Sequence, residues 1–342
     1  MRYIAFVTKG LEQVVVEELK HLITDVDILE VGDKRVLFDS EQPLATLTSL
    51  RTVDDLCLFV SKIESAQNIA SLLSAVREAD FDRPRSIISE LRALKDDFSI
   101  TTTMVGVESF SAAQLADAVQ SDLRMRYSWS YTERDHSHFD VRIFIDRTVA
   151  YIAVRLTAQS LMHRTYKKRS KPGSLRPTVA AAMVYLATRF RGGLSIVDNL
   201  CGSGTILCEA AAIGNKVSGG DIDAESVSIS VSNLKNVVAR LDPQVRVLDA
   251  VKTGWPDGSF DCAISNLPWG KQVDLRSTAA LFEGTIKEYS RIVKGRGTVC
   301  VLTPRSEPLI KYAKKYMQGC QIKLIPVSFT GQSPTIIVVE RS

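Results

Sequence analysis

From Leu194 onward, short apolar runs alternate with stretches of helical periodicity, and this alternation is the strongest constraint on what the chain can become. The runs are Ser195 to Val197, Lys216 to Gly219, Val245 to Leu248, Cys262 to Ile264 and Thr298 to Leu302. Strands joined through helices predict an α/β fold with a parallel, doubly wound, Rossmann-like sheet that gathers ligands at the carboxyl ends of its strands. Leu324 to Phe329 and Thr335 to Glu340, around Gly331-Gln332, predict a closing antiparallel hairpin.

The N-terminal half has a different texture. Tyr3 to Thr8 reads as a strand, Gly10 as a break, and Leu11, Val14, Val15, Leu19 and Leu22 as one face of a helix. Apolar runs flank Gly32-Asp33 as in a hairpin, so residues 1–52 read as a small α+β unit. A second unit, 53–157, follows: a strand at Leu56 to Ile63, helices at Ala66 to Glu78 and Pro84 to Leu94, and a β-branched strand at Ser99 to Val107. A helix at Ser111 to Arg126 and a β pair turning at Asp146-Arg147 complete it. Pro172-Gly173 breaks the tract that follows, so 158–177 reads as a connector and 178–342 as the parallel-sheet domain.

Charge singles out that connector. The net charge is +4, yet no acidic residue lies between Asp146 and Asp198, where ten Lys and Arg residues leave the rest of the chain at −6. A single basic stripe on a mildly acidic chain predicts a polyanion docking at one place, with Arg164, Lys167, Lys168, Arg169, Lys171 and Arg176 on phosphates. The plainer reading is a solvated linker. Hydrophobic residues at 45% and charged residues at 24% argue against disorder and against a membrane protein. The first twenty residues lack the unbroken apolar core of a signal peptide, so a cytoplasmic location is expected. Six cysteines without a CxxC pair, and His21, His136, His138 and His163 without ligand or triad spacing, predict neither disulfides nor a metal site.

Three motifs then fall at successive strand ends. Asp198-Asn-Leu-Cys201-Gly202-Ser203-Gly204-Thr205 places two glycines where a strand turns into the helix Thr205 to Ala212, so that backbone N–H groups can meet the carboxylate end of a cofactor. A dinucleotide loop would carry a third glycine where Leu207 stands. Gly219-Gly220-Asp221-Ile222-Asp223 offers a carboxylate for ribose hydroxyls, Asp221 ahead of Asp223, which suits a helix cap. Asp249, before Ala250, is placed to meet an adenine amine. The most specific motif is Ser265-Asn266-Leu267-Pro268-Trp269-Gly270. An exocyclic amine is a poor nucleophile because its lone pair is delocalised into the ring, so its hydrogens need acceptors. Asn266 Oδ1 and the Leu267 carbonyl can be those acceptors, Pro268 stiffens the turn, and Trp269 offers a face for a flipped base. A Trp after a turn is otherwise ordinary core, and a lone strand-end Asp an ordinary cap.

These motifs resemble those of class I S-adenosylmethionine-dependent amino-methyltransferases. More narrowly, the chain is similar to the THUMP-containing tRNA guanine-N2 methyltransferases, through its GLE opening helix, LRTVDDL segment, DVRIFID…AYIAVRLT strand pair and HRTYKKRSKPGSLRPTVAAAM connector. That resemblance implies an N-terminal ferredoxin-like domain, a THUMP domain gripping the acceptor end of tRNA, and a Rossmann-fold catalytic domain. It implies S-adenosylmethionine at Asp198, Cys201, Gly202, Ser203, Gly204, Thr205, Asp221, Ile222, Asp249, Ala250 and Asn266, and catalysis at Asn266, Leu267, Pro268 and Trp269, on tRNA; a monomer that needs no metal is expected besides. Leu267 stands where the family more often has Pro, and Trp269 where Tyr, Phe or His is usual.

The resulting expectation is direct methyl transfer to guanine N2, at tRNA position 6 ahead of position 10, with Asn266 holding the amine rather than taking its proton. Rival readings are an adenine-N6 or cytosine-N4 methyltransferase on DNA or rRNA, a non-catalytic RNA-binding protein on a relic cofactor fold, and a nicotinamide oxidoreductase. All enzymatic versions require Gly202, Asp221 and Asn266 to converge on one crevice.

Overall fold

The computed structural model describes residues 1–133, 137–238, 244–269, 275–328 and 331–341. The expectations for His136, Gly270 and Phe329 lie outside the described residues. Two compact units result: Met1–Val7 with Leu22–Leu161, and Thr8–His21 with Met162–Ser342. The chain runs β1 (Arg2–Phe6), α1 (Glu12–Leu22), β2 (Asp27–Gly32), β3 (Arg35–Asp39), α2 (Leu44–Leu47), β4 (Asp55–Ile63), α3 (Ile69–Glu78) and α4 (Asp82–Leu91). It continues through β5 (Asp97–Val105), α5 (Ala112–Tyr127), β6 (Ser130–Tyr131), β7 (Asp140–Asp146) and β8 (Val149–Arg155).

The first unit is built on one sheet in the order β2-β3-β1-β4-β8-β7-β5-β6. Tyr3 pairs with Leu58 and Cys57 with Arg155, so the expected boundary between residues 52 and 53 crosses a continuous sheet. The expected hairpins at Gly32-Asp33 and Asp146-Arg147 both form, with Lys34 and Arg147 taking the left-handed turn conformation. The short edge strand β6 and the one-turn α2 were too brief to leave a periodic signal in the sequence.

The second unit comprises α6 (Pro177–Thr188), β9 (Ser195–Asp198), α7 (Thr205–Ala212), β10 (Lys216–Asp221), α8 (Ala224–Val237), β11 (Gln244–Val247) and β12 (Phe260–Asn266). It ends with α9 (Leu275–Ile292), β13 (Val293–Thr303), α10 (Ser306–Tyr316), β14 (Gln321–Pro326) and β15 (Thr335–Glu340). Its sheet has the order β11-β10-β9-β12-β13-β15-β14, parallel up to β13 and antiparallel through β15 and β14. The strand order reverses between β9 and β12, which opens a crevice at their carboxyl ends.

Period-two alternation explains the layers on either side. Ile196, Ile264, Leu302 and Ile336 point into one core with α6 and α7, while Val197, Ala263, Val301 and Ile337 point into the other with α9 and α10. Leu11 and Val14 join the first of these cores. The opening helix therefore belongs with the C-terminal unit, although sequence proximity suggested residues 1–52, because its apolar face is buried there. Among the described residues, no helix is long and apolar enough to cross a membrane.

Gly204 ends the loop before α7 with φ +78°, and a Cβ there would sit 2.3 Å from Ser230 Oγ and 3.0 Å from Ser230 Cα. It is the close-approach residue that lets α7 pack on α8. Gly204→Ala combines backbone strain with overpacking and is expected to cost about 2 kcal/mol of stability, read as a lowered denaturation midpoint.

Candidate active site

Gly202, Asp221 and Asn266 line one cleft of about 470 Å³ at the carboxyl edge of the sheet. Asp198, Cys201, Ser203 and Thr205 line it with them, as do Leu200, Ile206, Asp223 and Ser226. The convergence arises from three neighbouring strand ends, those of β9, β10 and β12.

Gly202 has φ +50°, and nothing lies within 4 Å of where a Cβ would stand, so the loop backbone is open toward the cleft. Its N–H donates to Asp221 Oδ2 at 2.9 Å, and the Asp223 N–H donates to Asp221 Oδ1 at 3.0 Å. These two bonds hold the carboxylate at the rim, and each oxygen retains acceptor capacity. Ile222 beside it is 75% exposed, an apolar surface at the same end of β10. Asp223 caps α8, accepting from the N–H groups of Glu225 and Ser226. The Lys171 ammonium and the hydrogen bonds from Ser226 hold the Asp223 carboxyl well below the usual carboxylate range.

Below the loop lies a buried polar network. Asp198 is 1% exposed and accepts from Ser265 Oγ at 2.5 Å and from the Leu200 N–H at 3.1 Å. Ser265 Oγ also meets Tyr289 Oη at 2.5 Å, and Tyr289 Oη accepts from the Asn199 N–H. Burial pushes the Asp198 carboxyl up to about 7, against the lowering effect of the Ser265 and Leu200 bonds. Burial likewise raises Tyr289. No sequence signal pointed to Tyr289, because its partners lie 24 and 90 residues away.

Asn266 is the last residue of β12 and not, as the sequence suggested, part of the turn after it. Its Oδ1 accepts from the Trp269 indole N–H at 2.9 Å. Leu267 is fully buried, its N–H donating to the Leu302 carbonyl, while Pro268 and Trp269 are half-buried and Trp269 packs against the core. These three do not line the cleft, nor do Gly204, Ile222, Asp249 and Ala250. Asp249 is engaged by its own turn: Oδ1 accepts from the Val251 N–H at 3.0 Å.

The basic connector departs most from the sequence reading. Arg164 is paired with buried Glu209 at 3.1 Å, and Tyr166 donates to the same carboxylate. Lys167 donates to the Leu175 carbonyl, and its burial lowers its pKa. Lys171 is paired with Asp223 and, at 3.1 Å, with Glu225. Lys168 and Arg169 have exposed side chains, whereas Arg176 is half-buried before α6. Lys171, Pro172, Gly173, Ser174 and Leu175 instead line the cleft, and Ser174 Oγ lies 2.7 Å from Ser203 Oγ. The Pro172-Gly173 break was the available signal for that excursion. His138 meets Asp97 at 2.7 Å and His21 stacks on Phe190, while His163 is exposed.

Residues 164–332 match UPF0020, the RMKL-like methyltransferase domain. The chain is 26% identical over 199 residues to the human U6 snRNA (guanine-N(2))-methyltransferase THUMPD2, covering 57% of this chain and 38% of that protein. It is 24% identical over 219 residues to the tRNA (guanine(6)-N2)-methyltransferase of Archaeoglobus fulgidus, covering 62% and 53%. The chain thus spans about half or less of these curated relatives. TrmN from Thermus thermophilus has the same fold over the whole chain, with TM-score 0.80, 22% identity and coverage of 100% and 99%. SMU.472, a putative methyltransferase solved with SAH, has TM-score 0.75, 18% identity and coverage of 100% and 98%.

The raised Asp198 pKa has a definite sign. An unfolded Asp releases its proton near 3.9, whereas the folded one holds it to about 7, so the stability this group contributes is complete below about pH 4 and lost as pH rises through 7. Denaturant titrations across pH 5 to 8 are expected to show Asp198→Asn flattening that dependence; parallel curves for the two proteins contradict the assignment.

Proposed function

We propose that this chain transfers a methyl group from S-adenosylmethionine to the exocyclic N2 of a guanosine in tRNA, at position 6 of the acceptor stem. The observation that carries the proposal is the cleft itself: an open glycine loop, a rim carboxylate and Asn266 line one space. The residues present fit the cofactor. Gly202 leaves room for close approach, Asp221 has lone pairs free for ribose hydroxyls, and exposed Ile222 offers an apolar face beside it. When bound there, S-adenosylmethionine supplies an electrophilic methyl on a sulfonium.

The protein's own task is positioning. Asn266 Oδ1 holds an amine hydrogen, which turns the nitrogen lone pair out of conjugation and toward the donor; the Leu267 carbonyl, on a fully buried residue, is not the second acceptor that the sequence suggested. The Asn266 amide takes up no proton near neutrality, so the surplus proton leaves the product after transfer. The half-buried Trp269 lies beside that acceptor and supplies the aromatic surface for an extruded base. The relatives that act on guanine N2 in tRNA and in U6 snRNA support an amine on guanine, and the tRNA relative supports position 6.

Within the RNA-binding reading, the THUMP segment 53–157, which lies wholly in the first unit, grips the acceptor end. Exposed Lys168 and Arg169 are then the connector residues suited to phosphate contact, since Arg164, Lys167 and Lys171 serve intramolecular partners. Replacing Lys168 and Arg169 with Gln is expected to reduce the salt dependence of RNA binding, with an unchanged slope returning the tract to plain linker.

The deciding experiment is nucleoside mass spectrometry of RNA incubated with enzyme and isotopically labelled donor, followed by fragment mapping. Label is expected in N2-methylguanosine at position 6 of tRNA; label in U6 snRNA alone moves the substrate, and label on adenine N6 or cytosine N4 defeats the guanine assignment. Asn266→Ala is expected to slow single turnover by roughly 100-fold or more while lowering RNA affinity far less.

A further inference from the structure

Trp269 makes a contact that a stacking platform does not need. Its indole N–H donates to Asn266 Oδ1 at 2.9 Å, and among the described residues nothing else hydrogen-bonds the Asn266 carboxamide. A carboxamide has two unlike ends, one accepting and one donating. If the amide of Asn266 flipped, its Nδ2 hydrogens would confront the indole hydrogen, donor against donor. The indole, which can only donate, therefore selects one orientation of the amide. Oδ1 has two lone pairs, so it can accept the indole proton and still offer the other to an amine.

We propose that Trp269 is a positioning residue acting through Asn266: its indole N–H sets which end of the amide faces the amine of the substrate. Asn266 lines the cleft, and the half-buried Trp269 packs against the core next to it. The neutral side chain thereby does what a carboxylate does by symmetry, since both ends of a carboxylate accept. This rests on the proposed transfer to an exocyclic amine and adds to it a requirement for a ring that bears an N–H at position 269. A Phe would keep the aromatic face and lose the lock.

The test is a double-mutant cycle. Trp269→Phe is expected to lower kcat in single turnover by about tenfold, with KM for RNA and cofactor affinity within about twofold of the parent. The same replacement made in Asn266→Asp is expected to cost less than about twofold, because a carboxylate has no wrong end. Equal losses in the two backgrounds overturn the proposal, as does a faster Trp269→Phe enzyme, which would make the indole a plug on the acceptor. Should Asn266→Asp be too slow to measure, the indole 15N–1H resonance identified by its loss in Trp269→Phe decides instead. It is expected to shift in Asn266→Ala, and a resonance that stays in place rules the lock out. A wild-type enzyme that methylates no guanosine sinks the functional reading without moving that resonance, so the two failures are separable.

Discussion

The hydrogen bond between Ser265 and Asp198 is the joint on which the site depends. It ties the carboxyl ends of β9 and β12 together, at the place where the strand order reverses. Tyr289 from α9 closes the same network from the other layer. Because Asp198 is buried, these bonds are made in a medium of low polarity, where leaving either partner unsatisfied is costly. The loop that carries Gly202 and the strand end that carries Asn266 consequently emerge side by side.

A second constraint works from above. The stretch Lys171 to Leu175 lies along the cleft and is held by the Lys171 ion pairs and by Ser174 against Ser203. The same tract was read from the sequence as a phosphate grip. The structure divides it: Arg164 and Lys167 anchor the connector to α7 and to the chain itself, while Lys168 and Arg169 remain exposed. A basic run is thus partly structural, since Glu209 within α7 is almost fully buried and must be paired.

Much of the candidate site's layout was legible in advance because parallel sheets place successive strand ends along one edge. The convergence of Gly202, Asp221 and Asn266 follows from three motifs at three such ends. Asp223 was legible as a cap for a local reason, since capping partners lie within three residues. Gly204 was read as a ligand-facing glycine, and only the approach of Ser230 from α8 shows that it is needed for helix packing. Asp249 was read by the same strand-end logic, but its carboxylate turns back on the Val251 N–H. Tyr289 and Ser174 could not have been selected from sequence, because nothing local distinguishes a buried hydroxyl that closes a network.

The order of apolar runs by itself determined the parallel sheet, its closing hairpin and the three ligand-edge motifs, because periodicity and loop chemistry are local properties of the chain. Tertiary structure alone decided that α1 packs with the C-terminal unit, that one sheet runs through both N-terminal segments, and that the Trp269 indole rests on Asn266. Those outcomes depend on which distant surfaces remain to be buried and which distant donors and acceptors meet, and no window along the sequence contains both partners.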